Sequence, residues 1–256
     1  MAVMPGTRAL LAVDVIGSAR NPGYHRDRLW GELTAMLRSG FDAAGLTPAE
    51  VVGYEPTGDG ALYTLPDNRL GALVDLTQRL DELAANRNRW SKPDIRLRVA
   101  VEMGAVGDGP DYYSPKVDLN RLLGASAFKE LVKRCVTENT DELGNCPINS
   151  SLIVSGPAFR SVFGGDYTTL VRETDFVRLA AVHKEFNEQA WVRVPGVDTR
   201  TLAKFADEIT TSEPVEDVEP MAGSSVRVTN TVTGTMTDSQ QFGVVNGGVR
   251  IGRGRG

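Results

Sequence analysis

Two aspartates carry the chemistry that this sequence could perform. Asp14 lies near the exit of a short apolar run, RALLAVDVI (residues 8–16), that leads straight into Gly17-Ser18. Asp59 sits in Gly58-Asp59-Gly60, between two β-rich runs. A hairpin paired beside the first strand brings both carboxylates to one edge of a sheet. There they repel each other strongly unless a cation lies between them. Mg²⁺ suits that place, because it takes oxygen ligands and is commonly held by one or two carboxylates plus substrate phosphates. Gly17 then has a role of its own: with no Cβ, the backbone can approach a phosphate closely and aim N–H groups at it. Two such ions could activate an attacking oxygen and stabilise a departing phosphate group. Taken singly, each acid is better read as a helix cap or a turn residue. Taken together, with a helix between them, they read as a metal-binding pair.

The elements that must position these acids are legible from periodicity. Residues 8–16 are short, apolar and bounded by Pro5-Gly6 and Gly17-Ser18, which predicts a buried strand. Leu29, Leu33, Met36, Leu37 and Ala44 recur at helical spacing, with Gly45 as a stop, predicting a helix over 25–44. VVGYEPTGDGALYTL (residues 51–65) predicts a hairpin turning at Asp59-Gly60. A second helix is marked by Leu70, Leu73, Val74, Leu76, Leu80 and Leu83, and a strand by residues 95–101. Residues 104–115 read as a Gly/Pro/Asp-rich loop, 119–132 as a third helix, 151–154 as a strand, and 174–179 and 190–194 as two late strands. The order predicts an α+β sandwich with helices on one face of a mostly antiparallel sheet.

Composition changes near Thr199. Residues 206–220 hold six acids and two prolines, which reads as a solvated linker. Beyond it, Val226, Val228, Val232 and Met236 fall on one parity with Thr, Asn and Gly between them. The expected organisation is a domain over 1–200, an acidic linker over 201–224 and a β-prone tail over 225–256.

The chain has 256 residues, 41% hydrophobic and 24% charged, the profile of a soluble globular protein. Its net charge of −5 argues against a general nucleic-acid binder, which wants broad basic character. No apolar stretch reaches the length of a membrane span and no signal-like start is visible, so a cytoplasmic location is expected. Cys135 and Cys146 flank one polar segment without a secreted disulfide framework. His25 and His183 pair with nothing as metal ligands or as a triad.

LLAVDVIGSA (residues 10–19) resembles the first metal-binding segment of the class III nucleotidyl cyclases, and PTGDGALY (residues 56–63) their second. RLRVAVEMGAV, INSSLIVSGPAF and AWVRVPG resemble the strands that follow, so the likeness covers about residues 7–196. It implies a ferredoxin-like cyclase sandwich and a head-to-tail homodimer with composite active sites. It also implies that Asp14 and Asp59 bind two Mg²⁺ or Mn²⁺ ions, joined by the Val15 carbonyl, while Ile16, Gly17 and Ser18 contact the triphosphate. The half of the site given by the partner fits less well. Aligning DYYSPKVDLNRLL on Asp111 and Val117 puts Asp118 where the family has Asn and Leu122 where it has Arg. Sliding by two recovers Asn120 with Arg121 beside it as the transition-state pair, with Lys116 as a substitute phosphate cation.

Glu55 and Asp111 stand at the two base-reading positions, and together they match neither the adenylyl nor the guanylyl pattern. Tyr54 could stack on a base or pack in the hairpin. Compact cyclases with broken purine patterns resemble the pyrimidine cyclases of bacterial anti-phage signalling (Pycsar-type), which implies UTP as substrate and cUMP as product. A purine cyclase is the near alternative. A catalytically silent nucleotide sensor or scaffold is the distant one. The tail, TNTVTGTMTDSQQFGVVNGGVRIG, resembles bacterial amyloid signalling motifs, in which alternating valines and Asn/Gln ladders could template a partner through edge pairing.

Overall fold

The computed structural model describes residues 5–18, 23–107, 114–183 and 186–212. The described residues belong to one compact unit, Met1–Glu213. Residues 214–256, and with them the expected tail, lie outside the described residues.

Seven strands form a single sheet: β1 (Thr7–Val15), β2 (Gly53–Thr57), β3 (Gly60–Pro66), β4 (Leu97–Ala105), β5 (Ser150–Ser155), β6 (Val177–His183) and β7 (Phe186–Arg193). Their order is β2-β3-β1-β4-β5-β7-β6, and every pairing is antiparallel except β4 with β5. Six helices pack on it: α1 (Gly23–Ala43), α2 (Leu70–Trp90), α3 (Ser114–Gly124), α4 (Ser126–Glu138), α5 (Gly156–Phe163) and α6 (Thr199–Ser212). The expected α+β architecture, a mostly antiparallel central sheet with helices against it, is therefore present.

The helices cover both faces, not one as the element order had suggested. Leu29, Leu33, Leu73, Leu76 and Phe159 of α1, α2 and α5 meet Leu11, Val13, Val99 and Val101 on one side. Leu119, Phe128, Leu131, Leu202 and Phe205 of α3, α4 and α6 meet Leu10, Ala12, Ala100 and Ile153 on the other. The reason is visible in the strands themselves. β5 is buried at all six positions and β1 at five consecutive ones, so both parities need cover. Strict one-sided alternation would have left half of those side chains in water.

Two further expectations change. The single helix expected over 119–132 is two helices, broken at Ala125, whose ψ of 131° is extended. The domain does not stop at residue 200. Leu202, Phe205, Ala206 and Ile209 recur at helical spacing and are buried, so residues 199–212 form α6 and complete the second core. The acidic residues Asp207 and Glu208, read as linker, are the solvent-side positions of that helix, and Glu208 pairs with Arg134 at 2.5 Å.

Candidate active site

β1 is pinned on both sides at its C-terminal end. Asp14 stands opposite Gly60 of β3 and opposite Arg98 of β4. The Val15 amide donates to the Asp59 carbonyl at 3.2 Å, and the Ile16 amide donates to the Arg96 carbonyl at 2.8 Å. Gly17 then turns the chain at φ +74°, in the left-handed region where a side chain is strained. That turn brings Ser18 back, and its hydroxyl donates to Asp59 Oδ2 at 2.6 Å. Gly60 allows the hairpin to approach. A Cβ there would lie 1.9 Å from the Val13 carbonyl oxygen, so only glycine lets β3 sit this close to β1.

Asp14 is not bare. Arg98 Nε donates to its Oδ1 at 3.0 Å and Arg98 Nη2 to its Oδ2 at 2.6 Å, a two-pronged ion pair between side chains 13% and 16% exposed. Burial raises the Asp14 carboxyl above its ordinary value; Arg98 opposes this, while the charge of Asp59 adds to it. The two acids therefore feel each other, as adjacent strands about 4.8 Å apart require. Beside Asp59 lies a small pocket of about 20 Å³, lined by Val15, Ser18, Gly58 and, from α1, Leu29 and Trp30. It has room for one water-sized body. Among the described residues no three His, Cys, Asp or Glu side chains converge.

Carboxylates are the ligands a divalent cation such as Mg²⁺ takes. In this structure Asp14 has Arg98 as its positive partner and Asp59 has the Ser18 hydroxyl.

The remaining sequence candidates are distributed as follows. Glu55 lies opposite Leu62, on the sheet face that carries Asp14, and accepts from Lys116 Nζ of α3 at 2.6 Å. Tyr54 is one residue away and so faces the other side. There its ring sits 5.1 Å from Tyr63, which in turn sits 4.9 Å from Phe41. Tyr54 thus serves the hairpin row that burial of Tyr63, with Tyr54 beside it, surrounds; the Tyr63 hydroxyl is pushed up to about 12. Asn120 donates to the Lys116 carbonyl at 3.0 Å, and Arg121 pairs with Asp118 at 3.1 Å on its own helix, 5.9 Å from the Phe186 ring. Neither makes a hydrogen bond or ion pair with Asp14 or Asp59. Leu122, where the cyclase pattern has arginine, is fully buried in the second core. Asp111 lies outside the described residues.

Sequence reasoning missed Arg98, and a signal for it existed. A charged residue inside the apolar run Leu97–Val101 has to find a partner, and a strand neighbour of β1 offers Asp14. It likewise missed Glu102, buried on the same face of β4 and held by the Ser155 hydroxyl at 2.6 Å. Burial raises this acid to about 7.

No protein-family model and no curated protein matches the chain. Solved structures similar to it include an adenylate/guanylate cyclase/hydrolase from Silicibacter pomeroyi, with 16% identity over 74% of this chain and 97% of that one, at a TM-score of 0.49. Adenylate cyclases from Trypanosoma brucei in their monomeric state share 17% identity over 75% and 92%, at 0.47. The guanylate cyclase domain of RhGC from Catenaria anguillulae, in complex with GTP, shares 11% over 75% and 98%, at 0.44. At these identities and scores they transfer neither activity nor residue roles to this chain.

Proposed function

We propose that this protein is a divalent-metal-dependent nucleotidyl cyclase that converts a nucleoside triphosphate, UTP by preference, into a 3′,5′-cyclic nucleotide and pyrophosphate. The observation that supports the reading is that Asp14 stands opposite Gly60, the residue next to Asp59, and feels the charge of Asp59, with Arg98 seated on Asp14 and Ser18 on Asp59. Asp14 and Asp59, with the Val15 carbonyl, are the groups that would hold Mg²⁺ or Mn²⁺. Such ions supply charge neutralisation along the triphosphate and acidify the ribose 3′-hydroxyl.

The chain's own residues do the rest. Gly17 and Ser18 offer backbone N–H groups to phosphate oxygens, while the Ser18 hydroxyl orients Asp59. Arg98, now held on Asp14, has the two-pronged geometry that matches a phosphate and would be available to one if Asp14 were engaged elsewhere. Glu55, with Lys116 beside it, stands on that face where a base can be read. Positioning and electrostatics are the work required, because the attacking oxygen and the leaving pyrophosphate belong to one substrate. The proposal extends to a homodimer with composite sites, in which the partner's α3 supplies the transition-state groups. It also includes use of the cyclic pyrimidine as an antiviral alarm, and a partner recruited by the tail.

Incubating the full chain with each of the four nucleoside triphosphates and Mn²⁺, and identifying products by mass, tests this. Formation of cUMP supports it; cyclisation of ATP or GTP alone rejects the base preference, and no product from any of the four rejects the enzyme. One observation favours a second reading, a silent nucleotide sensor: Leu122 is core, and Asn120 and Arg121 are satisfied on their own helix. A sensor would bind UTP in this assay and return it unchanged.

A further inference from the structure

On the face covered by α1, α2 and α5, the helices stop short of the last strand. β6 is backed by α4 and α6 on its other side, but α5 is only eight residues long and ends at Phe163. The gap is an open cavity of about 670 Å³ lined by Phe159, Arg160 and Phe163 of α5, Arg178 of β6, and Gln189 and Trp191 of β7.

Its wall is aromatic and its chemistry cationic. Phe159 stacks on the Trp191 indole with ring centroids 4.5 Å apart and planes 13° apart. Phe163 and Phe176 buttress Phe159 from the side, at 4.7 and 5.3 Å. That rigid cluster leaves Trp191 only partly buried. Arg178 stands directly opposite Trp191 in the β6–β7 ladder, its guanidinium 5.9 Å from the indole centroid. Neither Arg178 nor Arg160 forms an ion pair with any described carboxylate; the charge of Arg160 reaches Glu188 without bonding to it. Other arginines of the sheet are paired, Arg98 with Asp14 and Arg193 with Asp175, as is Arg96 just before β4, with Asp94. Two guanidiniums left over beside one aromatic wall are the arrangement that receives a ring bearing an anion.

We infer that this cavity binds a planar aromatic anion the size of a nucleoside monophosphate, with its ring on the Trp191–Phe163 wall and its phosphate between Arg160 and Arg178. The volume lies within the range of small-molecule pockets. Gln189, and Glu173 at the edge, supply hydrogen-bonding groups for exocyclic amino groups and ribose hydroxyls. The cavity is separate from the acid pair. Trp191 belongs to the first core and Asp14 to the opposite face, and three strand spacings, about 14 Å, lie between β1 and β7. The inference therefore does not rest on the cyclase reading.

Calorimetric titration of the full chain with UMP, AMP, uridine and inorganic phosphate tests it. Saturable binding of UMP or AMP is expected, weakened at least ~10-fold in the Arg160→Ala/Arg178→Ala double variant and unchanged in Asp59→Asn. Both arginines are exposed, so the double variant should keep the wild-type circular dichroism and melting point. Trp191→Phe should retain binding, because a ring remains, whereas Trp191→Ala should lose it. Four results overturn the inference. One is no saturation by any nucleotide up to roughly 5 mM. The others are equal binding by the double variant, loss of binding in Asp59→Asn, and inorganic phosphate binding as tightly as the nucleotides.

Discussion

Two positions on one face of β4, one at its start and one past its middle, hold two poorly solvated carboxylates in opposite ways. At the start of the strand, Arg98 meets Asp14 with a guanidinium, and the acid keeps a charge partner although burial raises it. Four residues on, about 13 Å away, Glu102 meets only a serine hydroxyl and the Met103 amide, and burial lifts it to about 7. Desolvation acts on both; what differs is whether a positive charge stands opposite. An acid with a cation already in place can exchange it for another. An acid held by neutral donors, with Glu188 and Asp118 adding their charges, gives up its own charge instead. The first arrangement suits chemistry and the second suits packing.

Removing the exchangeable end should have the largest effect. Asp14→Ala or Asp59→Ala is expected to abolish cyclic nucleotide formation, by roughly 10³-fold or more, equivalent to about 4 kcal/mol. Product assays with Mn²⁺ measure it; residual turnover near wild type would show that the acid pair does not perform the reaction. Arg98→Ala comes next. It strands Asp14 in a poorly solvated place, at a cost of about 2–3 kcal/mol, less than for a fully buried pair because both side chains keep some exposure. Urea denaturation reads the loss, and Mn²⁺ should recover more stability in this variant than in the wild type. If the metal gains nothing over wild type, Arg98 is not sitting in a cation's place.

At the neutral end the sign reverses. The fold favours protonated Glu102, so the stability it contributes is complete below about pH 4.5 and is lost as pH rises through about 7. Glu102→Gln keeps the shape and an acceptor for Ser155. It should stabilise the protein at pH 8 by on the order of 2 kcal/mol and leave it nearly unchanged at pH 5, as paired denaturation curves would show. Equal effects at both pH values would mean that the acid does not titrate there. The smallest effect belongs to Lys116→Ala. Its partner Glu55 is half exposed, so under about 1 kcal/mol of stability should go. A larger loss would move Glu55 into the class of Asp14.

What the sequence disclosed follows the same division. The positions of Asp14 and Asp59 were legible because each lies in a local signal, a strand end and a Gly-flanked turn, and the single β1–β3 pairing sets Asp14 opposite Gly60, next to Asp59. Arg98 was not, since its partner is 84 residues away and the β1–β4 register is a tertiary fact. Tyr54 and Glu55 looked alike as neighbours until the pleat sent them to opposite faces. α6 was hidden by composition: the acids of 206–220 spoke for a linker, while the spacing of Leu202, Phe205, Ala206 and Ile209 already described a helix with a core to cover. The α3 segment remained ambiguous for a physical reason. Asp118, Asn120 and Arg121 find partners within one turn of their own helix, so their spacing reports the helix itself; Lys116 bonds across to the sheet, at Glu55.

The approach of Gly60 to Val13 has a consequence for how this protein can vary over generations. Its neighbour Gly58 has open space where a Cβ would go, but at 60 the obstacle is a main-chain oxygen, which no second mutation can trim away. Lineages descending from this chain should drift freely at 58 and hold still at 60, where the tolerance is a single hydrogen atom.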